Sequence, residues 1–290
     1  LTHTPEPFEL EWMGGPTEHY FHRVRPGLDD LPWGTVRIDD YPPTLVAAAR
    51  GIWTDLVITE YRAVAAFAQI VNALIAAKAP LDMIGMASNF VADEVSHVEL
   101  ASRMAMELGG AAPRQLDVRN FGLRATPGLD PFQQANEWMV QICCVSEAYA
   151  SGSALTVYRS AEHPLAKNIF AHILRDESHH HRLGPLYLEW AGERFDDAER
   201  KRLSLKVLET LSMLSRLWKR RVGEVTDGRT EEGWPVSQLH ELGCLESRVL
   251  VPRAHQVVRT HVLAPLAQWG IGLTEEQEIS LGLPPRASAG

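Results

Sequence analysis

The feature that most constrains this chain is a pattern of metal-ligating residue types that occurs twice. Glu60 is followed, a helix-length later, by Asp93-Glu94-Val95-Ser96-His97. Glu147 is followed at a similar distance by Asp176-Glu177-Ser178-His179-His180. Each half supplies one lone carboxylate and one Glu-x-x-His pair. On a helix, residues i and i+3 share a face, so Glu94 converges with His97 and Glu177 with His180. Four carboxylates and two imidazoles turned into one helical bundle form a site for two metal ions.

A single Glu-x-x-His is weak and usually marks a surface helix. Two of them, each with a lone Glu on the preceding helix, are harder to dismiss, and the neighbours sharpen the point. Glu60 lies on a stripe with Trp53, Val57, Val64 and Phe67, and Glu94 lies among Phe90, Val91 and Val98. Glu147 has Val140 and Leu155 nearby, and Glu177 has Phe170 and Ile173. Carboxylates on apolar stripes are costly to bury without cations. Iron or manganese accepts hard carboxylate oxygens and borderline imidazole nitrogens. Two iron ions suit oxygen chemistry, and manganese or a mixed Mn/Fe pair stays open.

Metal-bound imidazoles commonly donate their other N–H to a carboxylate, which fixes the tautomer. Asp93 is placed to reach His180, and Asp176 to reach His97, across the bundle; the alternative is that both are solvated. His181, one turn after Glu177, is either a further ligand, a proton donor or a partly exposed helix residue. Cys143 and Cys144 read as small core residues rather than redox participants.

Around this pattern the chain divides clearly. Residues 1–40, rich in Pro, Gly and aromatics, read as an irregular arm packed on the body through Trp12, Tyr20, Phe21 and Trp33. Four helices are expected from Thr44 to Lys78, Leu81 to Leu108, Pro131 to Ser160 and Leu165 to Ala191. Short links make the first and last pairs antiparallel hairpins. The link from Gly110 to Asp130 is long. Helices of this length span roughly 40–45 Å, and twenty extended residues reach roughly 65 Å, so this link can cross the whole bundle. Residues 195–290 add further helices: one from Asp197 to about Val225, one from near Val236 broken or kinked at Pro252, and a last one capped by Thr274. The whole, residues 1–290, is expected to be a single domain.

Composition narrows the partners. With 28 basic and 37 acidic residues the formal charge is −9, which argues against a nucleic-acid surface. Lys219-Arg220-Arg221 reads as a solvated helix end. Gln69, Asn72 and Lys78 interrupt the apolar stretch Ala63 to Ala79, which argues against a membrane span. Three cysteines, with no basic stretch leading into an apolar one near the N-terminus, give the expectation of a cytoplasmic setting.

The E…DExxH…E…DExxH arrangement, from about Thr44 to Gly192, resembles the ferritin-like di-iron carboxylate superfamily. The resemblance implies an all-α, ferritin-like four-helix bundle with one long crossover. It also implies Glu60, Glu94, His97, Glu147, Glu177 and His180 as the six ligands. Radical-bearing ribonucleotide reductase subunits carry a Tyr one turn after the first metal His, where Ala101 stands here. Arylamine N-oxygenases share the paired spacing but add a His where this chain has Ile173; His172 is one residue off. The resulting expectation is a non-haem di-iron oxygenase using O₂ and an external electron donor to hydroxylate, desaturate or N-oxygenate a small molecule. The alternatives are a ferroxidase, a peroxide scavenger, a metal-binding protein or a non-catalytic scaffold. A homodimer is compatible with this reading.

Overall fold

Apolar residues recur every three to four positions through most of the chain, and long helices are the result. The computed structural model describes residues 6–286, so residues 1–5 of the expected arm and 287–290 of the expected extension lie outside it. Within the described part of the arm one α-helix forms, α1 (Gly15–Val24), with Pro16 in its first turn where the missing donor costs nothing, and a single 3-10 turn follows at Ile38–Asp40. None of its residues is buried, which is why no apolar period announced it in an arm expected to be irregular.

The bundle begins with α2 (Pro43–Ala76) and α3 (Leu81–Glu107), which start directly after Pro42 and Pro80. Gly109 and Gly110, at φ 92° and 106°, stop α3 and turn the chain into the crossover. The crossover then runs along α2: Ala112 N–H donates to Thr54 Oγ1 (2.9 Å), and Leu123 N–H donates to Gln69 Oε1. From position 54 to 69 a helix rises roughly 22 Å, so the link travels down the bundle. On the way, Gln115–Leu116 pairs antiparallel with Glu6–Pro7 of the arm.

The second hairpin is built from α4 (Pro131–Met139), a π-helical segment (Val140–Ser146) and α5 (Glu147–Ser160), which form one rod. It returns as α6 (Pro164–Ala191), whose first turn is capped by His163 Nδ1 accepting from Leu165 N–H (3.1 Å). The four-helix, one-crossover arrangement expected from the spacing is the observed fold.

The C-terminal part continues with α7 (Asp197–Leu214), α8 (Val236–Glu241), α9 (Ser247–Val257), a second π-helical segment (Val258–Leu263), α10 (Ala264–Ala267) and α11 (Glu275–Ser280). Two expectations here need correction. The fifth helix stops at Leu214 rather than near Val225; Asp227 and Gly228, at φ 50° and 72°, turn a small ribbon pairing Val225–Thr226 with Arg229–Thr230. Pro252 lies inside α9 without breaking it, because both Pro252 and Arg248, whose carbonyl loses its donor, are exposed. The break falls instead at Gly243 (φ 68°), where the Leu242 carbonyl accepts from Trp53 Nε1 (2.9 Å). The capping box at Thr274 and Gln277 forms as expected.

Two apolar clusters fill the bundle. One gathers Phe67, Phe90, Val140, Cys143, Cys144, Leu183 and Tyr187 with residues of α7 and the C-terminal helices. The other gathers Trp53, Val98, Ala101, Phe170 and Ile173 with residues of α8. The candidate ligands belong to neither. They form a polar layer in the middle of the bundle.

Candidate metal centre

Each of the four bundle helices carries its ligand residue types on the inward face. Glu60 comes from α2, Glu94 and His97 from α3, Glu147 from the first position of α5, and Glu177 and His180 from α6. His97 and His180 are fully buried, and Glu94, Glu147 and Glu177 are buried as well. Glu60 is the most open, with 12% of its side chain exposed.

The six residues fall into two overlapping groups. Glu94, Glu147, Glu177 and His180 bring one ligand atom each within 4.8 Å of one another, and so do Glu60, Glu94 and His97. Glu94 belongs to both: its Oε2 lies 3.5 Å from His97 Nδ1 and its Oε1 lies 3.1 Å from His180 Nδ1. Glu177 Oε1 also lies between the imidazoles, 3.9 Å from His97 Nδ1 and 3.7 Å from His180 Nδ1. Glu60 Oε2 closes one end at 4.0 Å from His97 Nδ1, and Glu147 Oε2 closes the other at 3.4 Å from His180 Nδ1.

Behind each imidazole stands an aspartate from the other hairpin. His97 Nε2 lies 3.4 Å from Asp176 Oδ2, and His180 Nε2 lies 3.4 Å from Asp93 Oδ2. The expected crossed pairs are thus brought together. With Nε2 donating to an aspartate, Nδ1 is left as a lone-pair donor facing the carboxylates.

The electrostatics of this layer are those of carboxylates crowded together out of water. Burial pushes Glu60 and Glu177 well above the usual carboxylate range, and neighbouring carboxylates add to the effect. Burial also raises Glu147. Glu94 goes the other way: burial acts to raise it, but the contacts with His180 and His97 win and hold it at about 2. His97 and His180 are raised, burial being outweighed by the facing carboxylates, Asp176 and Glu94 for His97 and Asp93, Glu147 and Glu94 for His180. Buried polar atoms without hydrogen-bond partners concentrate here: both oxygens of Glu94, Oε2 of Glu177, and Nδ1 of His97 and of His180. Such orphaned donors and acceptors are costly unless an ion satisfies them. Hard oxygens with two imidazoles fit a pair of iron or manganese ions.

The remaining candidates lie around this layer. His181, one position after His180, turns about 100° away on the helix. It joins neither ligand group, and its ring packs edge-on against His261 at 6.0 Å. His172 faces Arg175, with Nε2 2.9 Å from Arg175 Nη2, and also lies outside both groups. Phe67 and Phe90 pack on His180, with ring centroids 5.3 and 4.1 Å away. Ala150, which a simple projection puts beside the site, is exposed; at i+3 it is rotated about 60° from Glu147. Sequence reading missed Arg25, whose Nε lies 3.0 Å from Asp93 Oδ1. One arginine among several in a Pro- and Gly-rich arm carries no periodic signal.

No protein-family model and no curated protein matches this chain. Among solved structures the chain is similar to protein 19 from Synechococcus, which has aldehyde deformylating oxidase activity. The TM-score is 0.52 at 15% identity, and the match covers 82% of this chain and 95% of that one. The likeness is one of fold, an all-α ferritin-like bundle.

Proposed function

We propose that the chain is a single ferritin-like domain and an O₂-dependent di-iron oxidoreductase acting on a small organic molecule. The observation that carries this reading is Glu94, buried with one carboxylate oxygen toward each imidazole and neither oxygen hydrogen-bonded. That is the posture of a ligand shared by two cations. Bound there, two iron ions supply the electrons that activate dioxygen.

The rest of the work belongs to the chain. Glu60, Glu94, His97, Glu147, Glu177 and His180 hold the pair. Asp93 and Asp176 keep the Nε2 protons of His180 and His97 in place, so each Nδ1 stays a ligand. Phe67 and Phe90 cover His180 and exclude water from that side. Glu60 is the one ligand residue that is not buried, and we place the approach of oxygen and substrate on its side. The three cysteines are free and buried, which suits the reducing, cytoplasmic setting we favour. Among the described residues no helix is long and apolar enough to cross a membrane. The reading calls for an external electron donor.

The test is anaerobic Fe(II) titration followed by exposure to O₂ with and without an organic substrate. The activity of the Synechococcus protein makes an aldehyde the first substrate to offer. Two irons per chain and O₂ uptake coupled to loss of an organic substrate support the proposal. Rapid oxidation of Fe(II) with no dependence on any organic compound moves the assignment to a ferroxidase. A protein that binds no metal pair is a helical scaffold, and the proposal fails.

A further inference from the structure

The two outer aspartates are anchored in different ways. Asp176 Oδ1 lies 3.6 Å from Nε of Arg175, its own neighbour on α6, and 64% of that arginine side chain is exposed. Such a contact is heavily screened and contributes little. Asp93 is instead met by Arg25, from the N-terminal arm, with 20% of its side chain exposed. Arg25 Nε lies 3.0 Å from Asp93 Oδ1; its N–H direction is too oblique for a hydrogen bond, so the contact is an ion pair. Arg25 is itself held from two sides. Its backbone N–H donates to Phe21 O (2.9 Å) at the end of α1, and its Nη2 donates to Asn89 Oδ1 (2.8 Å) and Asn89 O (3.1 Å). Asn89 Nδ2 in turn reaches Asp93 Oδ2 at 3.4 Å.

These contacts divide the labour on one carboxylate. Oδ1 faces Arg25, which leaves Oδ2 aimed at His180 Nε2. We propose that Arg25 is a positioning residue for the metal ion held by His180, acting through Asp93. This rests on the dimetal reading of the centre. The arm has separate means of docking: His22 Nε2 lies 3.1 Å from Glu99 Oε1, and Arg103 Nη1 donates to Asp29 Oδ1 (2.7 Å). Arg103 also stacks over Trp33 at 4.1 Å. Arg25 can therefore be altered while the arm keeps other anchors. Losing the carboxylate behind a metal-bound imidazole typically weakens the metal by roughly 10–100-fold, and Arg25 acts one step further out, so its loss falls at the low end of that range. Among the described residues no hydrogen bond or ion pair joins His97 or Asp176 to the arm, so that half of the centre is expected to keep its affinity.

The experiment is a Co(II) titration of metal-free full-length protein, monitoring the visible bands of each bound ion. Arg25→Met is compared with wild type and with His22→Gln, which loosens the arm without touching Asp93. The expected result is two binding steps in all three proteins. In Arg25→Met one step weakens by roughly tenfold with shifted bands and the other keeps its affinity and spectrum. His22→Gln matches wild type. Wild-type affinity and bands at both steps in Arg25→Met would overturn the proposal, as would equal weakening of both. An equal loss in His22→Gln would also overturn it by assigning the effect to arm docking at large. Where Arg25→Met does not fold, Arg25→Gln replaces it with the same expected and overturning results. A wild-type protein that binds fewer than two ions refutes the dimetal reading itself, a separate failure.

Discussion

The two hairpins that supply the ligands look like repeats in sequence but are built differently. The first, α2 and α3, is a pair of unbroken helices of 34 and 27 residues. The second carries seven π-helical residues immediately before Glu147. The wider turn is marked by Ser146 Oγ, which donates to Gln141 O (3.0 Å), five residues back. Each residue added by such a turn rotates the next stretch of helix by about 100° relative to an uninterrupted α-helix. The aim of Glu147 is therefore set by the segment before it, whereas Glu60 sits in an uninterrupted α-helix. The partner helix has adapted too. A Cβ on Gly184 of α6 would lie 2.9 Å from the Cys143 carbonyl oxygen and 3.0 Å from Cys144 Sγ, so α6 and the π segment touch backbone to backbone. Like ligands can thus be delivered by unlike supports.

The largest effect that can break this comparison is loss of the residue both halves share. Glu94→Ala is expected to abolish binding of the metal pair, whereas loss of Glu60 or Glu147 leaves the other group of ligands whole. Metal counted per chain after desalting checks it, and two tight ions retained by Glu94→Ala would refute the shared role.

The next effect is that of pH. Glu60, Glu147 and Glu177 are raised in the fold by burial, and His97 and His180 by facing carboxylates whose pull outweighs burial. Above the ordinary carboxylate range the metal-free fold therefore binds more protons than the unfolded chain, and its stability falls as pH rises through the folded values. Glu94, held at about 2, works in the opposite sense: its contribution is present above the ordinary carboxylate value and is lost as pH falls through about 2. Metal displaces the held protons, so apparent affinity should climb about tenfold per pH unit for each proton released. Melting curves with and without metal across neutral pH should diverge as pH rises. Parallel curves would show that no protons are exchanged.

Smaller effects separate the hairpins by packing. Gly184→Ala forces a shift against backbone and should cost about 1–3 kcal/mol. Gly85→Ala, in α3, meets nothing within 4 Å and should stabilise by up to about 1 kcal/mol. Denaturant midpoints moving in the same direction would erase the contrast. Asp130→Ala should be comparable to Gly85→Ala in size but opposite in sign, a loss of about 1 kcal/mol, because it removes a complete capping box from the second hairpin. The first hairpin has no equivalent, as neither Pro42 nor Pro80 offers a side-chain cap.

Periodicity decides which of these features are legible in the sequence. Glu94 with His97 and Glu177 with His180 share helix faces, so their convergence is legible, and the crossed partners Asp93 and Asp176 come from the residue before each Glu. The π segment is not legible, because Val140 to Ser146 also satisfies an α-helical pattern. Arg25 is not either, since its partner lies far off in sequence and only tertiary structure joins them. The Val225–Thr230 ribbon is legible in its Asp227-Gly228 turn, but the apolar spacing of α7 suggests a helix running past it.

The bond between Trp53 and the Leu242 carbonyl bears on the order in which the chain can assemble. Trp53 Nε1 donates to Leu242 O across 189 positions, and Tyr41 Oη donates to Glu241 Oε2 across 200. Closing loops of that size is slow relative to forming local turns. During synthesis the indole N–H of Trp53 therefore waits for its acceptor until the segment around Leu242 has left the ribosome. A chain halted before that point presents an unpaired indole and an open end of the bundle, a surface for chaperones to hold.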